Sequence, residues 1–396
     1  MSPAPEAFGR ALRAQWALDP GITYLNHGTV GAPPRQVLDR QREIQLEIER
    51  QPARFLLREL SEAAAGGPRA EPPRMRVAAG HVAAFLGARG EDLAFVDNAT
   101  TGVNAVLRAV ALGPGDEILI TDLGYGSVAL ASGFVARERG ASVKVAATPD
   151  PGSPPEAFVD AIAAALTPST RLAIVDHVAS DTALVLPVGE VASRCRRAGV
   201  PLLVDGAHAP GALALDLPTI GADWYVGNLH KWAWAPRSSG ILWAAPGRAA
   251  NLHPPVISWG LGRHWTAEFD WVGTRDPSPH LSAPFALELM RAWGLEAIRR
   301  WNHELAWRGA HALAERWGTR FPAPRSMVGS MASVPLPERF GAAPEQAAAL
   351  RGALLAEDRI EVQVFPRRGR LWIRVAAQVY NDDADFERLA EAVARR

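Results

Sequence analysis

Between residues 93 and 226, short apolar runs alternate with segments of helical periodicity. Leu93 to Val96, Glu117 to Asp122, Leu172 to Val178, Leu202 to Asp205 and Trp224 to Val226 have the length and composition of strands. Between them, Ala99 to Leu112 sets Val103, Val106, Leu107 and Val110 at i, i+3, i+4 and i+7, one face of a helix. Phe158 to Leu166 and Val188 to Ala198 read as further helices. Such alternation predicts an α/β fold, a mainly parallel sheet covered on both faces. Ser142-Val143-Lys144-Val145 alternates and suits an edge strand with Lys144 facing solvent.

The pattern changes after about Trp265. A long helical stretch from Pro284 to about Gly318 carries Phe285, Leu289, Trp293 and Ile298. Strand-like runs follow at Met331 to Leu336, Ile360 to Phe365 and Leu371 to Val375, with a last helix from about Asp383. The Arg367-Arg368-Gly369-Arg370 turn predicts a hairpin. The chain therefore divides into a large α/β domain over 20–265 and a smaller α+β domain from 1–19 and 266–396. Gly66 to Pro73 and Pro149 to Pro155 read as surface loops.

Composition narrows the function. Lys+Arg and Asp+Glu both number 42, which leaves no excess of positive charge for nucleic acid or anionic lipid. No apolar run approaches the ~18 residues of a membrane span, and Met1 to Pro20 lacks the apolar core of a secretion signal. The one cysteine, Cys195, reads as part of an exposed helix end and cannot close an internal disulfide, so a cytoplasmic protein is expected. No Cys/His spacing suits zinc, and no metal is expected. Glycine-rich dinucleotide and Walker motifs are absent too.

Of the 42 basic residues only Lys144 and Lys231 are lysines. A lysine in so arginine-rich a chain is a candidate for what arginine cannot do, which is to lose a proton and attack a carbonyl. Lys231 follows a strand in Gly227-Asn228-Leu229-His230-Lys231-Trp232, among apolar neighbours that would lower its pKa. Upstream by 26 residues, the strand Leu203-Val204 ends in Asp205-Gly206, a carboxylate at the sheet edge where α/β ligands bind. Asp97-Asn98-Ala99-Thr100-Thr101-Gly102 opens a helix and offers an anion site, although Asn and Thr are also ordinary caps. Phosphate cradle, carboxylate and desolvated amine together match the needs of pyridoxal 5′-phosphate. The carboxylate would keep the ring nitrogen protonated, and the amine would form a Schiff base.

At this point the chain resembles the class V aminotransferase family of fold-type-I pyridoxal-phosphate enzymes, in its isopenicillin N epimerase-like branch. The resemblance rests on Leu25 to Gly31, Phe55 to Glu59, Asn98-Ala99-Thr100, Asp205 to Gly211, His230-Lys231-Trp232 and Gly273 to Asp276. It implies a seven-stranded large-domain sheet and a homodimer. Lys231 would be the Schiff-base lysine and proton shuttle at the substrate Cα. Asp205 would partner the ring nitrogen, with His208 beside the ring. Ala99, Thr100, Asn228 and His230 would contact phosphate, and Tyr125 would lie against the ring. Thr274 would reach the neighbouring subunit's phosphate. Arg374 would hold the substrate α-carboxylate with Asn26 and His27 nearby. His177 is a candidate acid–base group or a structural histidine. Asp181 would alter the pocket's charge or face outward.

The resemblance leaves the outcome at Cα open. Epimerisation leads and needs a second acid, Tyr125 or His177; β-elimination of a C–S bond and amino transfer are alternatives. Cys195 is badly placed for a persulfide nucleophile. A non-catalytic cofactor-binding scaffold is a reading of another class. Trp232, Trp234, Trp259, Trp265 and Trp271 around the mouth would then form a partner surface, or else line a pocket for an apolar substrate.

Overall fold

The computed structural model describes residues 5, 7–67 and 71–396; residues 68–70 of the predicted Gly66–Pro73 loop and most of the N-terminal five lie outside the described residues. Seven strands form the main sheet: β2 (Leu93–Val96), β3 (Glu117–Thr121), β4 (Ser142–Ala146), β5 (Thr170–Asp176), β6 (Leu202–Gly206), β7 (Trp224–Asn228) and β8 (Gly240–Ala244). Their order is β2-β8-β7-β6-β5-β3-β4. From β7 to β4 every pair is parallel, and β8 runs antiparallel between β2 and β7. β8 was not anticipated; five residues after a Ser-Ser-Gly turn carry too little pattern to stand out.

Strand alternation builds two apolar layers. Ile118, Ile174, Leu203 and Val226 face one layer with Val103 and Val106 of helix Ala99–Ala109. Leu119, Val175, Val204 and Tyr225 face the other, which is continuous with the core under the C-terminal elements. β4 is the edge strand, as expected, although Lys144 is only half-buried there while Val145 is exposed.

In the C-terminal part, β9 (Met331–Pro335), β11 (Gln363–Arg367) and β12 (Arg370–Ala376) form an antiparallel sheet with β12 central. The predicted hairpin turns through Arg368 and Gly369, both at positive φ (48° and 74°), the backbone of a twist-matched two-residue turn. β1 (Thr23–Tyr24) pairs in parallel with β10 (Ile360–Glu361), so the N-terminal segment joins this part beyond residue 19. The long helical stretch is two helices, Ser278–Trp293 and Leu295–Trp317, because Gly294 at φ 89° breaks the turn between them.

Cys195 is corrected. Its helix, Val188–Arg197, forms as expected, but Cys195 falls on the buried face with Val188, Val191 and Ala192 while the arginines face out. Burial pushes its thiol up to about 11, so it is inert.

Candidate active site

The C-terminal strand ends converge on one cavity of about 470 Å³, lined among others by Tyr125, Asp176, Asp205, His208, His230 and Lys231. The turn carrying Lys231 is held by close backbone approaches. Gly31 (φ 66°) abuts the His230 carbonyl and Gly211 (φ 88°) the Trp232 carbonyl; a Cβ at either would collide with that oxygen. His27 is fully buried beneath this turn. One ring nitrogen meets the Tyr380 hydroxyl at 2.8 Å and the other the Lys231 backbone carbonyl at 2.9 Å. This corrects its expected place at the substrate, because both nitrogens are spent on structure.

Lys231 Nζ lies 3.1 Å from His208 Nε2. Burial, helped by the charge of Arg374 and opposed by Asp205 and Asp176, lowers the amine from 10.5 to about 7. The amine can thus exchange a proton near neutral pH. His208 is buried and held well below the ordinary histidine range, so it is neutral; its Nδ1 has no hydrogen-bond partner. Asp205 ends β6 at 3% exposure and accepts the Ala207 N–H at 3.0 Å. Desolvation raises its pKa against the pull of Ala207 and Lys231.

Asp176, which the sequence analysis passed over, stands directly across from Asp205 in register and is 5% exposed. Burial, then the Asp205 charge, push its pKa well above the carboxylate range. The signal was available: two adjacent parallel strands carry Asp in their last two residues. The next residue, His177, must face the other way by strand alternation. It bonds Tyr225 Oη at 2.8 Å and lines a separate cavity with Leu186 and Pro187, and burial lowers its pKa to about 4. This corrects its candidacy as the site's acid.

At the opposite wall, the Asn98 side chain caps helix Ala99–Ala109 by accepting the Thr101 N–H at 3.0 Å. The Ala99 amide is already donated to Asn228 Oδ1 at 2.8 Å. Ala99 therefore orients Asn228, and the Thr100 peptide and hydroxyl remain at the cavity wall. His230 lines the wall with its Nδ1 3.1 Å from the Ser239 carbonyl; desolvation, with the Lys231 charge, lowers it to about 4. Tyr125 precedes helix Gly126–Arg139 and is 49% exposed, its ring bare at the cavity. Thr274 is exposed and lines a different cavity with Gln45, Glu49 and Leu56. Its loop is tied beside the Asn98 cap by Arg275 Nη1 on Asp97 Oδ1 at 2.8 Å. Within one chain Thr274 does not meet Lys231.

Arg374 reaches the site from β12, 3% exposed. It donates to the Ser180 carbonyl and Thr29 Oγ1 at 2.6 Å each, and to Asn26 Oδ1 at 3.3 Å, all uncharged oxygens. Its Nε has no partner, and among the described residues no carboxylate lies within ion-pair distance. Asn26 is braced in turn by donating to Glu361 Oε1 at 2.9 Å. Burial lowers the Arg374 pKa to about 10, with Asp181 opposing from an exposed position. Asp181 thus faces out and still adds negative charge to the site.

The tryptophan expectation is corrected. Trp232, Trp234, Trp265 and Trp271 are buried in the apolar layers and none lines this cavity; only Trp259 is exposed, at 73%. Neither a partner surface nor an aromatic substrate pocket is built from them.

These residues fit pyridoxal 5′-phosphate: a proton-exchanging amine, a buried carboxylate, an unpartnered buried imidazole nitrogen, a helix N-terminus and an open aromatic face share one cavity. The sheet and site define a fold-type-I pyridoxal-phosphate enzyme. The chain belongs to the class-V aminotransferase family, matching it over residues 34–364, and pyridoxal 5′-phosphate is the cofactor of these enzymes. Isopenicillin N epimerase of Amycolatopsis lactamdurans is 35% identical over 96% of this chain and 96% of its own length. L-cysteine desulfhydrase of Arabidopsis thaliana is 32% identical over 94% of this chain and 87% of that one. A cystine C–S lyase solved with cysteine persulfide shares the fold with a TM-score of 0.77 and 22% identity, covering 94% of this chain and 97% of that chain.

Proposed function

We propose that this enzyme moves a proton at Cα of an amino acid, with an epimerase-like outcome as the leading reading. The observation that carries it is the pairing of Lys231, an amine near pH 7, with Arg374, a buried cation lacking an anionic partner. The cofactor, when bound, withdraws electrons from the substrate Cα. Arg374 supplies the positive charge that attracts the α-carboxylate, oriented by Asn26, Thr29 and Ser180. Lys231 Nζ takes the Cα proton from one face and keeps it while the opposite face is protonated, with neutral His208 beside it as an acceptor. Asp205 holds the ring nitrogen's proton. Tyr125, with its ring at the cavity, is the group available to protonate the opposite face.

A second reading, β-elimination from a sulfur-bearing amino acid, is favoured by one observation. With His177 outside the site, Lys231 is the best-placed base, and elimination needs only one. Persulfide transfer is disfavoured because Cys195 is buried in a helix away from the cavity.

Residues 20–265 act as the cofactor-holding unit, and 266–396 with 1–19 as the smaller unit that brings Arg374. The enzyme works as a homodimer in which Thr274, idle within its own chain, reaches the neighbouring phosphate. A reducing, cytoplasmic setting is supported by its single unpaired cysteine.

A panel of amino acids, including cysteine conjugates and sulfoxides, incubated in heavy water tests the reading. Deuterium at Cα with loss of optical rotation marks epimerisation. Pyruvate and ammonia mark elimination, and no deuterium with any substrate overturns proton chemistry at Cα.

A further inference from the structure

Two carboxyl groups side by side in one cavity need a reason. Asp176 ends β5 and Asp205 ends β6, directly paired across the parallel ladder, with the His177 N–H donating to the Asp205 carbonyl at 2.8 Å. Both side chains are turned to the cavity rather than to the core layers. Neither has an arginine or lysine within ion-pair distance among the described residues. The groups facing them are Lys231 from the turn after β7, Asp181 from the loop after β5, and the peptide N–H of Tyr125 after β3. Arg374 and His208 act on Lys231 from the far side. One amine, itself only partly protonated near neutral pH, faces the two buried carboxyl groups. Like charges on adjacent strand ends in low dielectric do not both ionise; the pair titrates as a unit.

We propose that Asp176 is a positioning residue that, together with Asp205, stores one proton in the cofactor-free protein and gives it up when the ring of pyridoxal 5′-phosphate binds. The O–H bond of the pair breaks and its proton leaves to solvent, because the ring nitrogen of the free phosphate ester is already protonated near neutral pH. Asp205 is left as the carboxylate facing that cation. The carboxyl pair and ring nitrogen together carry the same net charge as the protonated pair did alone, so the ring cation is not left uncompensated. Asp176 acts through Asp205, and this inference rests on the reading of Asp205 as the ring-nitrogen partner.

The test uses pyridoxine 5′-phosphate, which carries the ring and phosphate but no aldehyde, so Lys231 chemistry does not enter. Calorimetry in two buffers of different ionisation enthalpy counts the protons released when it loads into the cofactor-free protein. Asp176→Asn, close in shape and unable to store the proton, should release as much as one proton fewer per site than the wild type at neutral pH. Equal counts overturn the proposal. Infrared difference spectra of the wild type supply a readout independent of any variant's folding. A protonated-carboxyl stretch should be present before loading and disappear on loading, and its absence beforehand likewise overturns the proposal. Asp205→Asn separates the two layers. If the bound ring's absorption stays that of the protonated form in that variant, the assignment of Asp205 itself fails. If the absorption shifts while Asp176→Asn leaves the proton count unchanged, only the role of Asp176 fails.

Discussion

The two ends of the cavity bury charge in opposite ways. At the Lys231 end, an amine, a neutral imidazole and two carboxyl groups crowd the ends of β5, β6 and β7, where burial shifts the pKa of all four and the carboxylates and amine act on one another. At the Arg374 end, one guanidinium is held by carbonyl and hydroxyl oxygens with no carboxylate in contact. The first arrangement holds protons that small changes can move. The second keeps its charge, since even after burial its pKa stays at about 10, and its contacts are uncharged oxygens alone. One end carries groups whose protons shift easily, and the other carries a fixed positive charge.

That contrast can be broken at either end. Lys231→Ala should have the largest effect: loss of the visible cofactor band and a fall in turnover of at least about 10³-fold, measured by absorbance and steady-state kinetics. Arg374→Ala should raise KM about 100-fold with a smaller change in kcat, and Arg374→Lys should fall between, because an ammonium keeps the charge but cannot reproduce the guanidinium's bonds to Ser180, Thr29 and Asn26. A large kcat loss with unchanged KM would instead place Arg374 in the proton chemistry. Cofactor attachment to the free protein sharpens the comparison further. Only the unprotonated amine attacks an aldehyde, and Lys231 is lowered to about 7, so the attachment rate in stopped-flow absorbance should climb as pH rises through about 7 and level off above it. A rate still climbing near the ordinary lysine range would mean that burial does not tune this amine. His27→Ala, which touches only the support beneath Lys231, should cost about 1–3 kcal/mol of stability, read from denaturant unfolding, with KM little changed. Cys195→Ala should leave turnover unaltered, because its thiol is buried and far from the cavity.

How much of this was legible depends on the range of the interaction involved. Lys231 and Asp205 stand out because their setting is local: an apolar strand, then a polar residue at its end. The parallel strands and the Arg368-Gly369 turn are local in the same sense. His177 and Asp176 show where local reading stops. They are neighbours in one motif, and the face each presents depends on the phase of β5 against β6, which is set by pairing 29 residues away along the chain. The tryptophans near Lys231 looked like a mouth because they are close in sequence, yet Trp234 turns inward to pack with Trp16 and Trp293, and Trp232 against His27.

By itself the sequence determined which chemistry is possible: a lone reactive amine, a strand-end carboxylate and a helix start that can hold an anion, each specified by a few consecutive residues. Only the tertiary structure decided which groups share the cavity. It turned His27 and His177 into supports, promoted Asp176 to the site, and left Arg374, 143 residues from Lys231, as an unpaired charge behind the wall residues Thr29 and Ser180. Strand phase, burial and long-range pairing set those outcomes, and none of them is written in any single stretch of chain.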